Sequence, residues 1–496
     1  MDGVDRFSNL PVQIILHILS LLPTKFAVST SVLSTKFKSL WLDLTNFDFD
    51  DNLLFNPAVK RQISYPVTFQ NFVESVLTRS SSPTIHKFAL RCKSSVEDLF
   101  IVNDWIKNVI NRKVQEIVLS IEPRSCGGDD VEIPKPLFVS RTLVVLKLNL
   151  RLLELSIPDF DEDEVWFPNL KVFHMVVDDP SEDLLKRLFC NFPVLEDLCV
   201  EGDLCSAIVE ILVSGSRLKR VKLDLRLDGS MTYDYKFVID GVCLDVIDIS
   251  DNFLGCYVMP NLISVDTAIV DVSLFDDPID TSPGLKRATE FLNSIIMVKS
   301  LKLSARTINR LMIESFQLPT FYNLTRLESA FYNNYLYPSL EWLKCTPILR
   351  VLVLCRDGMQ PFQSEWFNAA EPVPLCLKEH LKVIQYKGFQ GEWDEIGMLK
   401  YMLKNGEVLS EILVEARSSG REGNTTSLYN YNNRMKYTQS GLKNPLRKVL
   451  LLCKKSNSRS FPYLGALEKV FDVDSALVVQ TLVKEEPHSE LHPARK

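Results

Sequence analysis

Residues 167–200 read FPNLKVFHMVVDDPSEDLLKRLFCNFPVLEDLCV. One pattern occurs twice in this stretch, as Leu170-x-x-Phe173-x-Met175 and as Leu195-x-x-Leu198-x-Val200, and each copy is led in by Phe-Pro. The last positions of each copy alternate apolar with other residues, as a strand with one buried face requires. Between the copies, SEDLLKRLFC from Ser181 has helical character. A strand-and-helix unit that returns at a fixed step is the mark of a stacked repeat architecture.

The apolar-x-x-apolar-x-apolar pattern extends in both directions. Its first member falls at Ile85, Val114, Leu143, Leu170, Leu195, Leu218, Leu244, Leu262, Val298, Leu324, Leu349 and Leu381. Most steps lie between 23 and 29 residues, within the range of a leucine-rich repeat, in which each unit contributes one short strand to a curved parallel sheet. The steps of 18 and 36 residues on either side of Leu262 average 27, so the register at Leu262 (LISVDT) is displaced rather than a repeat lost. Proline lead-ins recur as MPNL at Met259 and TPIL at Thr346. No unit of this length buries its own apolar face. Neighbours do that for one another, and the core runs as a continuous spine.

The residue between the last two apolar positions points away from that spine, onto the open concave face. In order this row is Ala89, Val118, Lys147, His174, Cys199, Lys222, Asp248, Asp266, Lys302, Glu328, Val353 and Gln385. Its mixed chemistry suits recognition of a protein by local complementarity. The target-binding candidates are therefore Lys147, His174, Lys222, Asp248, Lys302 and Glu328. His174 and Cys199 are adjacent in the row and have the residue types of a Cys–His nucleophile pair, but they read as two unrelated surface side chains. The acidic run Asp159–Glu164 (DFDEDE) reads as a solvated loop.

The N-terminus is different. In DRFSNLPVQIILHILSLLPTKFAVSTSVLSTKFKSLW (Asp5–Trp41), Ser8 or Asn9 can cap a helix whose first turn holds Pro11. Ile14, Ile15, Ile18, Leu19 and Leu22 form one apolar face, yet Val12, Leu16 and Leu21 lie off it. Pro23 stops this helix, Thr24 can cap a second, and Ser34 can start a third. Three short helices cannot bury this much apolar surface alone, so the segment reads as a docking module. In the order of its elements it resembles the N-terminus of a plant F-box protein, through Leu10-Pro11, the ILHILSLLP run, VSTSVLS and STKFKSLW. The resemblance implies binding to a Skp-type adaptor and, through it, to a cullin. It places adaptor contacts on Leu10, Pro11, Ile15, Ile18, Leu19, Leu22, Pro23, Val28, Val32, Leu33, Leu40 and Trp41. Val12-Gln13 stands where the family usually carries acidic residues, and Phe37 where a tryptophan is common; both are expected to weaken adaptor affinity without changing the fold.

From Pro372 the composition changes. A strand from Leu381, a turn bounded by Gly388 and Gly391, a helix near Glu395–Lys404 closed by Gly406, and a strand near Leu409–Val414 make a β-α-β unit. Through Val373, Pro374, Cys376, Leu377, Leu381, Gly388, Gly391, Tyr401, Leu403, Asn405 and Leu409 it resembles the FBD domain that follows the repeats in many plant F-box proteins. It is expected to cap the open end of the spine. Beyond Ala416 the chain turns polar, with a short helix expected near Leu446–Lys455 (LRKVLLLCKK). His488 and His492 lie in HSELH, which is not the H-E-x-x-H of a zinc enzyme.

Bulk properties restrict the function classes. A net charge of −7 over 496 residues argues against general nucleic-acid affinity. Eleven scattered cysteines without a C-x-x-C pair fit reduced thiols in the cytoplasm or nucleus. No apolar run reaches a membrane span, and no secretion signal is evident. Phosphate-cradling loops, a G-x-S-x-G elbow and metal-ligand spacings are all missing, so no cofactor is expected.

The fold expected is α/β: a three-helix F-box (1–50), a leucine-rich-repeat solenoid (51–371), a β-α-β FBD-like cap (372–416) and a flexible, unassigned tail (417–496). The function expected is a non-catalytic substrate-recognition subunit of a Skp–cullin–F-box ubiquitin ligase. Two alternatives share the scaffold: a small-molecule-dependent receptor, whose closing loop would come from the 36-residue step before Val298, and a non-ligase interaction scaffold.

Overall fold

In the computed structural model, the described residues are 10–54, 65–93, 99–122, 130–151, 154–156, 166–178, 180, 182–189, 192–204, 210–227, 235–252, 255–260, 262, 264–272, 282–311, 318–332, 341–357, 372–390, 392–416, 448–452 and 480–482. The chain forms two compact units, Met1–Ser264 and Val265–Lys496.

The first unit opens with helices α1 (Val12–Ser20), α2 (Thr24–Ser29) and α3 (Phe37–Leu40). Pro11 is the N-cap of α1, and its carbonyl accepts from the Ile14 and Ile15 N–H groups at 3.0 and 3.2 Å. Ser8 and Asn9, the expected caps, lie outside the described residues. Thr24 does not cap α2, because Pro23 does. Instead Thr24 Oγ1 accepts the Asp48 N–H at 2.7 Å, tying α2 to the first strand.

That strand starts a parallel sheet: β1 (Asn46–Asp50), β2 (Lys87–Cys92), β3 (Glu116–Ile121), β4 (Val145–Asn149), β5 (Val172–Val176), β6 (Asp197–Leu204), β7 (Arg220–Leu227) and β8 (Val246–Asp251). Each strand pairs in parallel with the next. The apolar positions of the repeat are buried in every strand, from Leu44, Phe47 and Phe49 to Leu244, Ile247 and Ile249. Burying one such side chain is worth about 1.5–3 kcal/mol, and the spine repeats that gain at every turn of the chain. A second ladder locks the turns. The carbonyl one residue before each strand's partner accepts two N–H groups, as Gln115 O does from Val144 and Val145 at 2.8 and 3.0 Å. β1 went unread in the sequence, although Leu44-x-x-Phe47-x-Phe49 carries the same pattern.

Small parallel ladders line the return segments. Asp130–Glu132 pairs with Glu154–Ser156, and Lys236–Asp240 pairs with both Glu210–Ser214 and Cys256–Val258. Helix Glu182–Phe189 bears out the helical reading of that stretch. Gly202 in β6 has φ +148°, and a Cβ there would lie 1.7 Å from the Val177 carbonyl oxygen. Gly202→Ala is expected to cost about 2–3 kcal/mol, read as a lower urea midpoint. An unchanged midpoint would show that the two strands can part there without loss.

The second unit continues the same logic: β9 (Thr267–Val272), β10 (Ser300–Leu303), β11 (Arg326–Phe331), β12 (Val351–Arg356), β13 (Val383–Phe389), β14 (Glu411–Ala416), β15 (Lys448–Leu452) and β16 (Gln480–Leu482), each parallel to the next. Three expectations are corrected here. The repeat before β9 begins at Val265, not Leu262, so Ile269 rather than Asp266 occupies the row paired with Lys302. The β-α-β unit is present as β13, helix Trp393–Asn405 and β14, but it does not end the sheet, since β14 pairs onward with β15. Residues 448–452 form a strand and not the expected helix; Leu446-x-x-Val449-x-Leu451 is the repeat pattern once more.

Glu395 on helix Trp393–Asn405 and Arg356 on β12 are both fully buried and 2.9 Å apart. The Tyr386 hydroxyl donates to Glu395 Oε1 at 2.8 Å, and the Gln390 and Glu392 N–H groups donate to Oε2 at 3.0 and 2.9 Å. Burial pushes the Glu395 carboxyl above its usual range, while Arg356 pulls the other way. Burial also raises the Tyr386 hydroxyl, which therefore stays a donor. Among the described residues no helix is long and apolar enough to cross a membrane.

Candidate docking and recognition surfaces

Two surfaces stand out, one apolar and one polar. Among the described residues fifteen large apolar side chains are exposed, and seven of them fall in the N-terminal module, on its helices or in the turns between them: Val12, Ile14, Leu21, Leu22, Phe26, Val32 and Leu33. Val32, Leu21 and Leu33 reach 85%, 72% and 65% exposure. The module keeps a core of its own, built from Ile15, Leu19, Ala27, Phe37, Leu40 and Trp41. The face of α1 that packs inward is thus Ile15 and Leu19, while Ile14 and Leu22, read in the sequence as the same face, turn outward.

The predicted adaptor-contact residues divide along this line. Pro11, Leu22, Val32 and Leu33 are exposed, and Leu10, Ile18, Pro23 and Val28 are partly exposed. Ile15, Leu19, Leu40 and Trp41 are buried in the chain's own core, so as placed they shape the surface without forming it. Val12, Ile14, Leu21 and Phe26 join the apolar surface although they were not among the candidates. Phe37 is also buried, so its substitution for tryptophan falls in the core rather than on the contact face. The Lys36 ammonium donates to the Leu10 carbonyl at 3.2 Å, bringing the start of α1 beside the segment that carries Val32 and Leu33.

The module is fastened to β1 and to the end of the helix Tyr65–Arg79 that follows it. Besides the Thr24–Asp48 link, the Ser81 N–H donates to the Leu42 carbonyl at 2.9 Å and the Ser81 hydroxyl to Asp43 Oδ1 at 2.7 Å. The Arg79 guanidinium lies 5.5 Å from the Trp41 ring centre.

The second surface is the outward face of the sheets. Parallel sheets are usually covered on both faces. Here the inward residues are buried and the outward ones, such as Glu116, Val118 and Ser120 of β3, stay partly exposed. In the first unit the predicted row is in register across its strands as Ala89, Val118, Lys147, His174, Cys199, Lys222 and Asp248. Lys222 Nζ pairs with Glu201 at 2.5 Å, and His174 Nε2 lies 3.6 Å from Asp197, which Arg220 also holds at 2.7 Å. Asp197 is held below the usual carboxylate range, first by His174 and then by Arg220 against the opposing effect of burial. Hydrogen bonds from Lys219 and Lys171 bring the neighbouring Glu196 down to about 2. Lys147 makes no ion pair among the described residues. In the second unit Lys302 and Glu328 are neighbours in register, 3.5 Å apart.

Three members of the row do not face solvent. Ala89, Cys199 and Val353 are buried, being short side chains set among long charged ones. The Cys199 thiol is pushed up to about 12 by burial, with Glu201 beside it adding to the rise. It is no thiolate, and the Cys–His reading is set aside. Among the described residues there is no cluster of His, Cys, Asp and Glu suited to a metal ion. Helix Ser282–Ser294 fills much of the long step before Val298. Residues 273–281, the acidic run 159–164 and the HSELH segment lie outside the described residues.

Comparisons with known proteins match three segments of the chain to family models. The F-box domain model matches residues 7–49, a model described as the LRR repeats of FBD-associated F-box protein At5g56370 matches 102–268, and the FBD model matches 370–413. The F-box/FBD/LRR-repeat protein At5g22660 of Arabidopsis thaliana is 30% identical over 428 residues, covering 83% of this chain and 89% of its own. The Arabidopsis F-box/LRR-repeat proteins 13 and At3g59200 are 30% and 31% identical, covering 83% and 84% of this chain and 89% and 83% of their own. With the F-box, LRR-repeat and FBD models falling in turn on the helical module, the repeat sheet and the β-α-β unit, and with these relatives matching more than four fifths of the chain, the chain belongs to the F-box/FBD/LRR-repeat family.

Proposed function

We propose that the protein is a substrate-recognition subunit of a Skp–cullin–F-box ubiquitin ligase. The observation that carries this reading is the apolar surface left uncovered on α1, α2 and residues 30–33. Exposed apolar patches of this kind mark interaction sites, and in an F-box module the partner that fits is a Skp-type adaptor. The bond from the Asp48 N–H of β1 to the Thr24 hydroxyl supports a receptor in which the docking module is held in fixed relation to the sheet of the first unit. The polar, partly exposed face of the sheet supplies the target contacts. On this reading the chain performs no bond chemistry. It brings a target lysine close to a ubiquitin-charged partner and turns a bimolecular transfer into a near-intramolecular one. Its place of work is the cytoplasm or nucleus, where such adaptors act.

The test is co-purification with a Skp-type adaptor, wild type against Leu10→Ala with Pro11→Ala. Wild type is expected to retain the adaptor and the double variant to lose it, with unchanged circular dichroism. Equal retention by both would count against docking through this module, and no retention by wild type would favour a scaffold outside any ligase.

A further inference from the structure

Several cations at the sheets have a close carboxylate: in the first unit Lys87 with Glu116 at 2.9 Å, Arg220 with Asp197 at 2.7 Å and Lys222 with Glu201 at 2.5 Å, and in the second unit Arg306 with Asp271 at 2.5 Å. The cluster at Glu328 is built differently. In the second unit Glu328 alone faces three cations, Lys302 at 3.5 Å and Lys387 and Arg326 at 3.8 Å. None reaches the ~2.7–2.9 Å of a made charge-assisted bond. Lys302 comes from β10, Arg326 from β11 and Lys387 from β13. They converge on Glu328 of β11, beside which Val353 of β12 stands in register and fully buried. Glu328 itself is largely covered, with 19% of its side chain exposed against 42–53% for the three cations.

One residue before the paired segments of β12 and β13, Arg350 and Lys382 are exposed neighbours, the Arg350 carbonyl accepting the Lys382 N–H at 2.9 Å. Neither side chain has an ion-pair partner among the described residues. Like charges opposite one another on adjacent strands are destabilising. Arg350 and Lys382 extend the cationic stretch beyond the three cations at Glu328, and Glu415 of β14 stands opposite Lys387 in register, in a protein whose net charge is −7. Glu411 and Glu415 on β14 mark the edge of the patch.

We propose that this patch receives an acidic peptide segment of the target, whose carboxylates fill the donor positions that Glu328 leaves unsatisfied. The proposal rests on reading the sheet face as the target-binding surface, and it names the chemistry that part of the face selects. Cationic surface of this kind gives specificity and a salt-dependent on-rate.

The test is fluorescence anisotropy of the full chain with a labelled polyglutamate peptide, its polyglutamine analogue and a phosphoserine peptide, at low and high salt. Polyglutamate is expected to bind at low salt and weaken as salt rises, and polyglutamine is expected not to bind. Lys302→Glu with Lys387→Glu is expected to weaken polyglutamate at least about tenfold. Glu328→Gln is expected to tighten it several-fold, by removing the internal competitor, and Lys107→Glu on the helix Leu99–Asn111 of the first unit to leave it unchanged. Equal binding of polyglutamine, no binding at low salt, or indifference to the double charge reversal overturns the proposal. A strong preference for phosphoserine overturns the carboxylate assignment in favour of phosphate. Adaptor capture is measured on the same preparations. Capture without peptide binding removes this proposal alone, whereas peptide binding without capture keeps the patch and removes the receptor reading.

Discussion

Val32→Asp combined with Leu33→Asp is expected to weaken adaptor capture about a thousandfold while leaving the thermal unfolding temperature where it was. These two are among the most exposed large apolar side chains of the described residues. Their removal therefore takes little from the folded state. If an adaptor covers them, each contributes about 1.5–3 kcal/mol of apolar burial, and an aspartate left in a dry contact costs more. A loss near 4 kcal/mol corresponds to about three decades in Kd. The contrast with the interior of the same module makes the test decisive. Ile15→Ala or Leu40→Ala opens a cavity in the chain's own core and is expected to cost about 2–5 kcal/mol of stability, with adaptor binding failing only as folding fails. Should the double aspartate variant bind like wild type, the apolar surface is not the docking site.

The second large effect lies in the second unit. Glu395→Ala is expected to destabilise the second unit by about 3–5 kcal/mol, read as a fall in the urea midpoint. The carboxylate is the acceptor for Arg356, Tyr386 and two backbone N–H groups at once. Removing it leaves a guanidinium with no exposed side-chain surface, its remaining carboxylate being Glu392 at 3.3 Å. The cost is that of a buried charge stripped of its nearest carboxylate more than the worth of the pair. Hence the double variant Glu395→Leu with Arg356→Met is expected to recover much of the loss. A midpoint unmoved by Glu395→Ala would mean that water reaches Arg356.

The repeat was legible because a two-residue period fixes which side chains face inward, and the structure buries those residues strand after strand. Errors arose where something other than the period decides. Leu44-x-x-Phe47-x-Phe49 was absorbed into the helical module, since its strand abuts α2 through the Thr24 hydroxyl. The step near Leu262 misled because LISVDT imitates the pattern three residues before the true start at Val265. LRKVLLLCKK is apolar enough for either a helix or a strand, and a short run cannot arbitrate by period alone. On the open face, alternation gave the row but not the coverage: Ala89, Cys199 and Val353 point outward and are still hidden by longer neighbours. In the N-terminal helices the excess of apolar residues was plain, but which of them turn inward depends on where the neighbouring helices and β1 lie. The Glu395 network left almost no trace in sequence, because a buried ion pair across 39 residues has no spacing rule.

The most direct measurement is titration calorimetry of the full chain with a purified Skp-type adaptor at two temperatures. The account expects one-to-one binding with a Kd of about 1 μM or tighter and a negative heat-capacity change from covering the apolar surface of α1, α2 and residues 30–33. Absence of binding heat at both temperatures, with the protein folded, would contradict it.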